Sequence, residues 1–285
     1  MEALSQWISG HKIPIGDWIA ALIDVVKNNA QGFFDGLSAV IQFCVDGLSH
    51  LMEAVPGPLL ILVFMALVWL LRRSWKLSLF VGVALLFIIN QGYWSQTLET
   101  LSLVVFATAI SMLIGVPLGI AAAHRDWLFQ ALRPILDLMQ TLPTFVYLIP
   151  TLVLFGLGTV PGLISTIIFA VPAPIRLTQL GIASVPKPLL EAGDAFGASR
   201  GQLLWKVELP SAMPTILAGL TQCIMLSLSM VVIAALVGAG GLGVPVVQAM
   251  ETVQVAPGFE SGLAIVVLAV ILDRVCRPPE PRVAR

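Results

Sequence analysis

From Val55 onward the chain is written in apolar runs, and each run is about as long as a lipid bilayer is thick. Seven such stretches, at about 55–71, 76–93, 96–123, 134–156, 159–182, 211–237 and 259–275, lie near the ~17 to 25 residues that a helix needs to cross hydrocarbon. Within lipid every backbone N–H and C=O must be satisfied internally, which leaves helices and closed barrels. Runs this long predict helices. The third is long enough to tilt or to extend past the lipid. Composition agrees: 58% of the 285 residues are hydrophobic and 11% are charged, whereas a soluble domain carries roughly a quarter charged residues. Too few polar groups remain to clothe a water-facing surface. The predicted fold class is an all-α membrane protein.

Residues 1–53 differ. They hold Glu2, Asp17, Asp24, Asp35, Asp46 and Glu53 against only Lys12 and Lys27. From Phe33 to Met52 the apolar residues Phe33, Phe34, Leu37, Val40, Ile41, Cys44, Val45, Leu48, Leu51 and Met52 recur at helical spacing, with Asp35, Gln42, Asp46, Ser49 and Glu53 on the other side. This predicts an amphipathic helix, lying on the membrane or packed against the protein. No secretory signal peptide is recognisable, and the N-terminus is expected to be retained. Cys44, Cys223 and Cys276 are widely spaced and odd in number, which suggests neither a disulfide framework nor a metal site.

Lys and Arg accumulate in cytoplasmic loops. Arg72, Arg73 and Lys76 fall between the first two spans, Arg125 and Arg133 between the third and fourth, and Arg176, Lys187, Arg200 and Lys206 around the loop after the fifth. Arg274, Arg277, Arg282 and Arg285 lie at the end. With seven spans all of these share one side, so the N-terminus is expected outside and the C-terminus in the cytoplasm. Trp75, Trp94, Trp127 and Trp205 fall close to predicted interfaces.

The longest cytoplasmic connection reads SVPKPLLEAGDAFGASRGQLLWKVELP. Pro186 and Pro188 end one helix and suit the first turn of the next. A short helix through Leu189–Phe196 is predicted, with Gly197 turning the chain out of it. Ser199 and Gln202 form a capping box for a second helix through Leu203, Leu204 and Val207, and Leu209-Pro210 is expected to close the loop. The small residues Ala192, Gly193, Ala195 and Gly197 beside Leu189 and Phe196 suit close docking in a partner's groove.

Glu191-Ala192-Gly193, then Gly197, then Val207-x-Leu209-Pro210 resembles the cytoplasmic signature of ATP-binding-cassette importer permeases, where Glu-Ala-Ala, Gly and Ile-x-Leu-Pro stand at this spacing. Gly193 in place of Ala and Val207 in place of Ile are departures that keep small and β-branched residues. The resemblance covers about residues 95 to 275. MQTLPTFVYLIP (139–150), LPSAMPTILAGL (209–220) and LSMVVIAALVGAGGLG (228–243) are similar to the osmoprotectant branch, which imports glycine betaine, proline betaine, carnitine or choline.

In that family the segment is a coupling helix seated in a cleft of the ATPase. The resemblance implies coupling roles for Glu191, Ala192, Gly193, Phe196, Gly197, Val207, Leu209 and Pro210. Its implied partners are a cytoplasmic ATP-binding subunit, an external substrate-binding protein, a second copy of this chain and membrane lipid, in a bacterial cytoplasmic (inner) membrane. No nucleic-acid partner, catalytic residue or metal is expected, and no cofactor in this chain, ATP being bound by the partner subunit. The organisation expected is an external amphipathic segment (1–54), two peripheral transmembrane helices (55–93), a permease core (94–275) with coupling loop 184–210, and a cytoplasmic tail (276–285).

Gly238, Gly240 and Gly243 spell G-x-G-x-x-G, but the apolar run before them is too long for the strand that a dinucleotide site requires. They are expected to form a re-entrant or hairpin turn ahead of a short outer helix at about Val244–Glu251. No G-x-x-x-x-G-K-[ST] occurs in the sequence, so energy must come from a partner or an ion gradient. An ion-driven carrier usually places ionisable groups inside its spans, whereas Glu99, Asp137, Arg176 and Asp273 lie toward span ends and His124 is interfacial. That carrier, a permease for another solute such as an amino acid, and a non-transporting scaffold are the alternatives. A quaternary ammonium has no N–H to donate and is held by aromatic faces. Phe145 and Tyr147 with Gln140 and Thr141 are the candidate substrate path, in a span that Pro143 and Pro150 could break.

Overall fold

A computed structural model describes residues 14–277, so readings that rest on residues 1–13 and 278–285 lie outside the described residues. Among the described residues every regular element is helical. Helix α1 (Ile15–Glu53) is kinked at Ala30 and meets α2 (Gly57–Arg72) at 107°. Only the C-terminal part of its predicted apolar face is covered. Val45, Ser49 and Met52 are buried, the Ser49 hydroxyl donates to Ser102 Oγ at 2.9 Å, and the Phe34 ring stands edge-on to Phe155 at 5.2 Å. Phe33, Val40, Phe43 and Leu51 remain exposed. The helix thus packs against the protein along one stretch and presents apolar surface outward along the rest.

Helices α2 and α3 (Trp75–Asn90) form a hairpin whose turn uses Arg73 in the left-handed region and Ser74 as N-cap. Ser78 donates to the Met65 carbonyl at 2.8 Å, tying the pair together. Their apolar faces join α4 (Trp94–Ala123) and α13 (Val255–Cys276) around Ile61, Val68, Val81, Leu85, Ile88, Val104 and Leu268. At 1.5 Å per residue, α4 is about 45 Å long, so it outreaches the ~30 Å hydrocarbon layer as its sequence predicts.

The expected fourth span is two helices, α5 (Asp126–Thr141) and α6 (Thr144–Phe155), bent by 97°. Pro143 disfavours the helical region for the residue before it, and Leu142 accordingly sits at ψ 135°. Pro150, by contrast, lies inside α6 without ending it. Helices α7 (Thr159–Ala170) and α8 (Pro172–Ala183) run on as one apolar rod.

The seven predicted stretches all fall on helices, yet the count of crossings differs. Among the described residues four helical rods are long and apolar enough to cross, and up to six if each bent pair is one span. Helices α2 and α3 have 16 residues each, short of the ~20 that a perpendicular crossing takes.

At the centre, α4, α8 and α11 (Leu209–Ala235) approach closely through small residues. A Cβ on Gly115 would lie 2.7 Å from Pro174 Cγ, and one on Gly119 2.6 Å from Thr178 Cβ and 2.7 Å from the Ile175 carbonyl. Gly181 faces Ala212 and Thr215, and Gly219 faces Leu177. Beyond α11, Gly238 and Gly241 take φ of +91° and +99°, and the Leu242 N–H donates to Thr100 Oγ1 at 2.8 Å. This is the predicted glycine turn, and it leads into the short helix α12 (Gly243–Glu251).

Candidate functional site

The loop singled out by sequence begins with Pro186, in extended geometry, followed by α9 (Lys187–Ala195) with Pro188 in its first turn. None of the α9 residues is buried. The helix ends in a Schellman motif, with Phe196 as C-cap. The Gly197 N–H donates to Asp194 O at 2.9 Å and the Ala198 N–H to Gly193 O at 3.0 Å. Gly197 sits at φ +74°, a conformation that costs a side-chain-bearing residue roughly 1–2 kcal/mol. Phe196 is left 92% exposed at the tip.

The predicted capping box is present. Ser199 N–H donates to Gln202 Oε1 at 2.9 Å, and Gln202 N–H donates to Ser199 Oγ. It opens α10 (Arg200–Leu203), which folds back so that Leu203 lies against Gly193. A methyl there would press on the flexible end of Leu203, Cδ1, at 2.6 Å and touch Val207 Cγ2 at 3.8 Å.

The exit of the loop departs from expectation. Leu209-Pro210 does not break the chain. A π-helical turn, Leu204–Glu208, joins α10 to α11, and the Leu209 N–H reaches back five residues to Leu204 O. Pro210 has no N–H to offer, yet the helix runs on through it. The result is one apolar rod from Arg200 to Ala235, about 54 Å long. Val207 and Leu209 are partly buried along it, while Pro210, Glu191 and Ala192 are exposed.

The four candidate path residues gather at the break between α5 and α6. Gln140 and Thr141 are exposed at the end of α5, and Phe145 is 56% exposed at the start of α6. Tyr147 is buried instead, and its hydroxyl donates to Met139 O at 2.5 Å. It satisfies a carbonyl orphaned by the break. Asp137 on α5 pairs with Arg176 on α8 at 2.7 Å, which fixes the angle of the bent pair from the other side.

Two arrangements escaped the sequence. Glu208, in the π-helical turn, is buried and its Oε2 lies 2.9 Å from His124 Nε2 at the end of α4. At the opposite end of α4 a cavity of about 200 Å³ is bounded by Asp46, Ser49, Glu53, Glu99, Thr159 and Gly240. Both are assembled from residues far apart in the chain, and no local pattern announces them.

Comparison with known proteins agrees along the length of the chain. Residues 115–285 match the family model described as binding-protein-dependent transport system inner membrane component. The glycine betaine transport system permease protein OpuAB of Bacillus subtilis is 45% identical over 93% of this chain and 93% of that protein. The glycine betaine/proline betaine permease ProW of Escherichia coli is 43% identical over 92% of this chain and 74% of its own length. Among solved structures, an inward-facing MetNI methionine ABC transporter shares the fold at TM-score 0.56 and 24% identity, covering 62% of this chain and 91% of that one. This chain therefore belongs to the family of binding-protein-dependent transport system inner membrane components.

Proposed function

We propose that this chain is the membrane-spanning subunit of an ATP-driven importer of quaternary-ammonium compounds of the glycine betaine and choline type. It works as a pair of identical subunits, with two cytoplasmic ATPases and an external binding protein, its N-terminus outside and its C-terminus in the cytoplasm. The observation that carries the reading is the exposed finger formed by α9 and α10, rigid by its Schellman motif and capping box and bare at Phe196. A connection that only joined two spans would need neither.

ATP binding draws the ATPases together and moves the docked finger. The finger continues without interruption into α11, so its displacement reaches the glycine turn at the far end of that rod. Glu191, Ala192, Gly193, Phe196 and Gly197 form the docking surface, and Val207, Leu209 and Pro210 hold the exit rigid. ATP is bound by the partner, and this subunit has no catalytic role of its own. The OpuAB and ProW likenesses support the substrate class.

Gln140, Thr141 and Phe145 contact the passing cation at the break between α5 and α6, with Phe145 offering its ring face and Tyr147 bracing the break. If uptake is unchanged in both Phe145→Ala and Tyr147→Ala, that path is wrong. The main test is reconstitution with ATPase and binding protein, following ATP-dependent uptake of labelled glycine betaine and choline. Uptake by vesicles holding this chain alone under an ion gradient would point instead to a secondary carrier.

A further inference from the structure

We infer that Glu208 and His124 form a hydrogen-bonded link that passes the loop's displacement sideways into α4, making Glu208 a positioning residue for coupling. The inference rests on reading the loop as the coupling element. The Glu208 side chain is only 8% exposed, and a buried carboxylate requires a partner. Its Oε2 stands 2.9 Å from His124 Nε2, while His124 Nδ1 stands 2.9 Å from the Ile120 carbonyl, one turn back on α4.

Both ring nitrogens therefore face acceptors. The ring thus bridges the Glu208 carboxyl group and the Ile120 carbonyl, tying the π-helical turn to the last turn of α4. On the same stretch Ile120 and Ala123 of α4 pack with Leu204 and Leu209 around Ile182, Ala212 and Ile216. Among the described residues this is the one side-chain hydrogen bond from segment 187–208 to a spanning helix. It is made from a π-helical turn, a geometry that clusters at functional sites.

The position gives the link its consequence. The backbone carries movement of the finger directly into α11, whereas α4 has no covalent connection to the loop. Through the imidazole the same movement reaches α4, so both helices, each packed on α8, shift together.

The test compares substitutions that delete the bond with one that keeps it, in the complex reconstituted with ATPase and binding protein. Uptake of labelled glycine betaine and ATP hydrolysis are measured in the same vesicles. Glu208→Met fills a similar volume without the bond and is expected to lower uptake per ATP by about tenfold, the factor that leaving a buried hydrogen-bonding group unpaired carries. His124→Ala, at a side chain 45% exposed, is expected to do the same. The double variant should be no worse than either alone. Glu208→Gln is expected to keep most of the ratio, because its amide donates to Nε2 of a neutral ring whose Nδ1–H still reaches Ile120 O.

A wild-type ratio in Glu208→Met or His124→Ala overturns the link. So does loss in Glu208→Gln as deep as in Glu208→Met, which would mean that keeping the hydrogen bond does not keep the coupling. If the Met variant does not assemble on co-purification, His124→Ala decides the matter. Gly197→Asp serves as control. Normal import by that variant would fail the coupling reading itself, whatever Glu208 does.

Discussion

The centre of the molecule and the tip of the finger formed by α9 and α10 both depend on glycine, yet they use it in opposite ways. Between α4, α8 and α11, glycine removes the Cβ that would collide with a neighbouring helix, and the space gained is filled by Pro174, Thr178 and Ala212. In the finger, a Cβ on Gly197 would meet nothing within 4 Å. That glycine is there for its positive φ, and the space around it is open. The same residue type is a packing device where helices share a core and a conformational device where a tip must be presented. A stripe of small residues therefore identifies close approach only when something occupies the other side.

The sharpest way to break this comparison is Gly119→Leu. Its side chain would have to enter the Thr178 and Ile175 wall, at a cost of about 3 kcal/mol. The expected outcome is loss of folded protein from the membrane, read by detergent-solubilised thermal melting. Normal yield and melting would mean that the three central helices can part easily.

Gly197→Asp should act elsewhere. The protein accumulates in the membrane with unchanged melting within a few degrees, while ATP-dependent uptake is abolished. Transport at a normal rate would remove the finger from the coupling path.

The smallest expected effect is that of Phe196→Ala. Because the ring is 92% exposed, its removal should leave stability untouched. Affinity for the ATPase subunit should fall about tenfold, as for an anchor aromatic at an interface. Equal affinity would place the docking contact on another face of the finger.

Legibility in the sequence followed the distance over which each feature closes. The Ser199–Gln202 capping box spans three residues, and both of its bonds are present as read. The turn at Gly197 and the helix after the glycine turn were legible for the same reason. The seven apolar stretches marked where helices lie, and of the two prolines named as able to break the fourth, Pro143 bends it by 97°, while Pro150, seven residues on, is absorbed. The difference lies in what surrounds each proline, including the Tyr147 hydroxyl that satisfies Met139 O. The continuous exit through Pro210 was missed because the sequence does not announce the π-helical turn at Leu204–Glu208 that leads into α11.

By itself, then, the sequence determined the helical class, the runs that meet lipid, and the caps and turns that shape the finger, because each depends on groups within a few residues of one another. Only the tertiary structure decided which of those helices bend, which glycines are pressed against a neighbour, and that His124 meets Glu208 across 84 positions of chain. Those outcomes are set by packing between elements, where the identity of a residue's partner depends on the fold and is not written beside it.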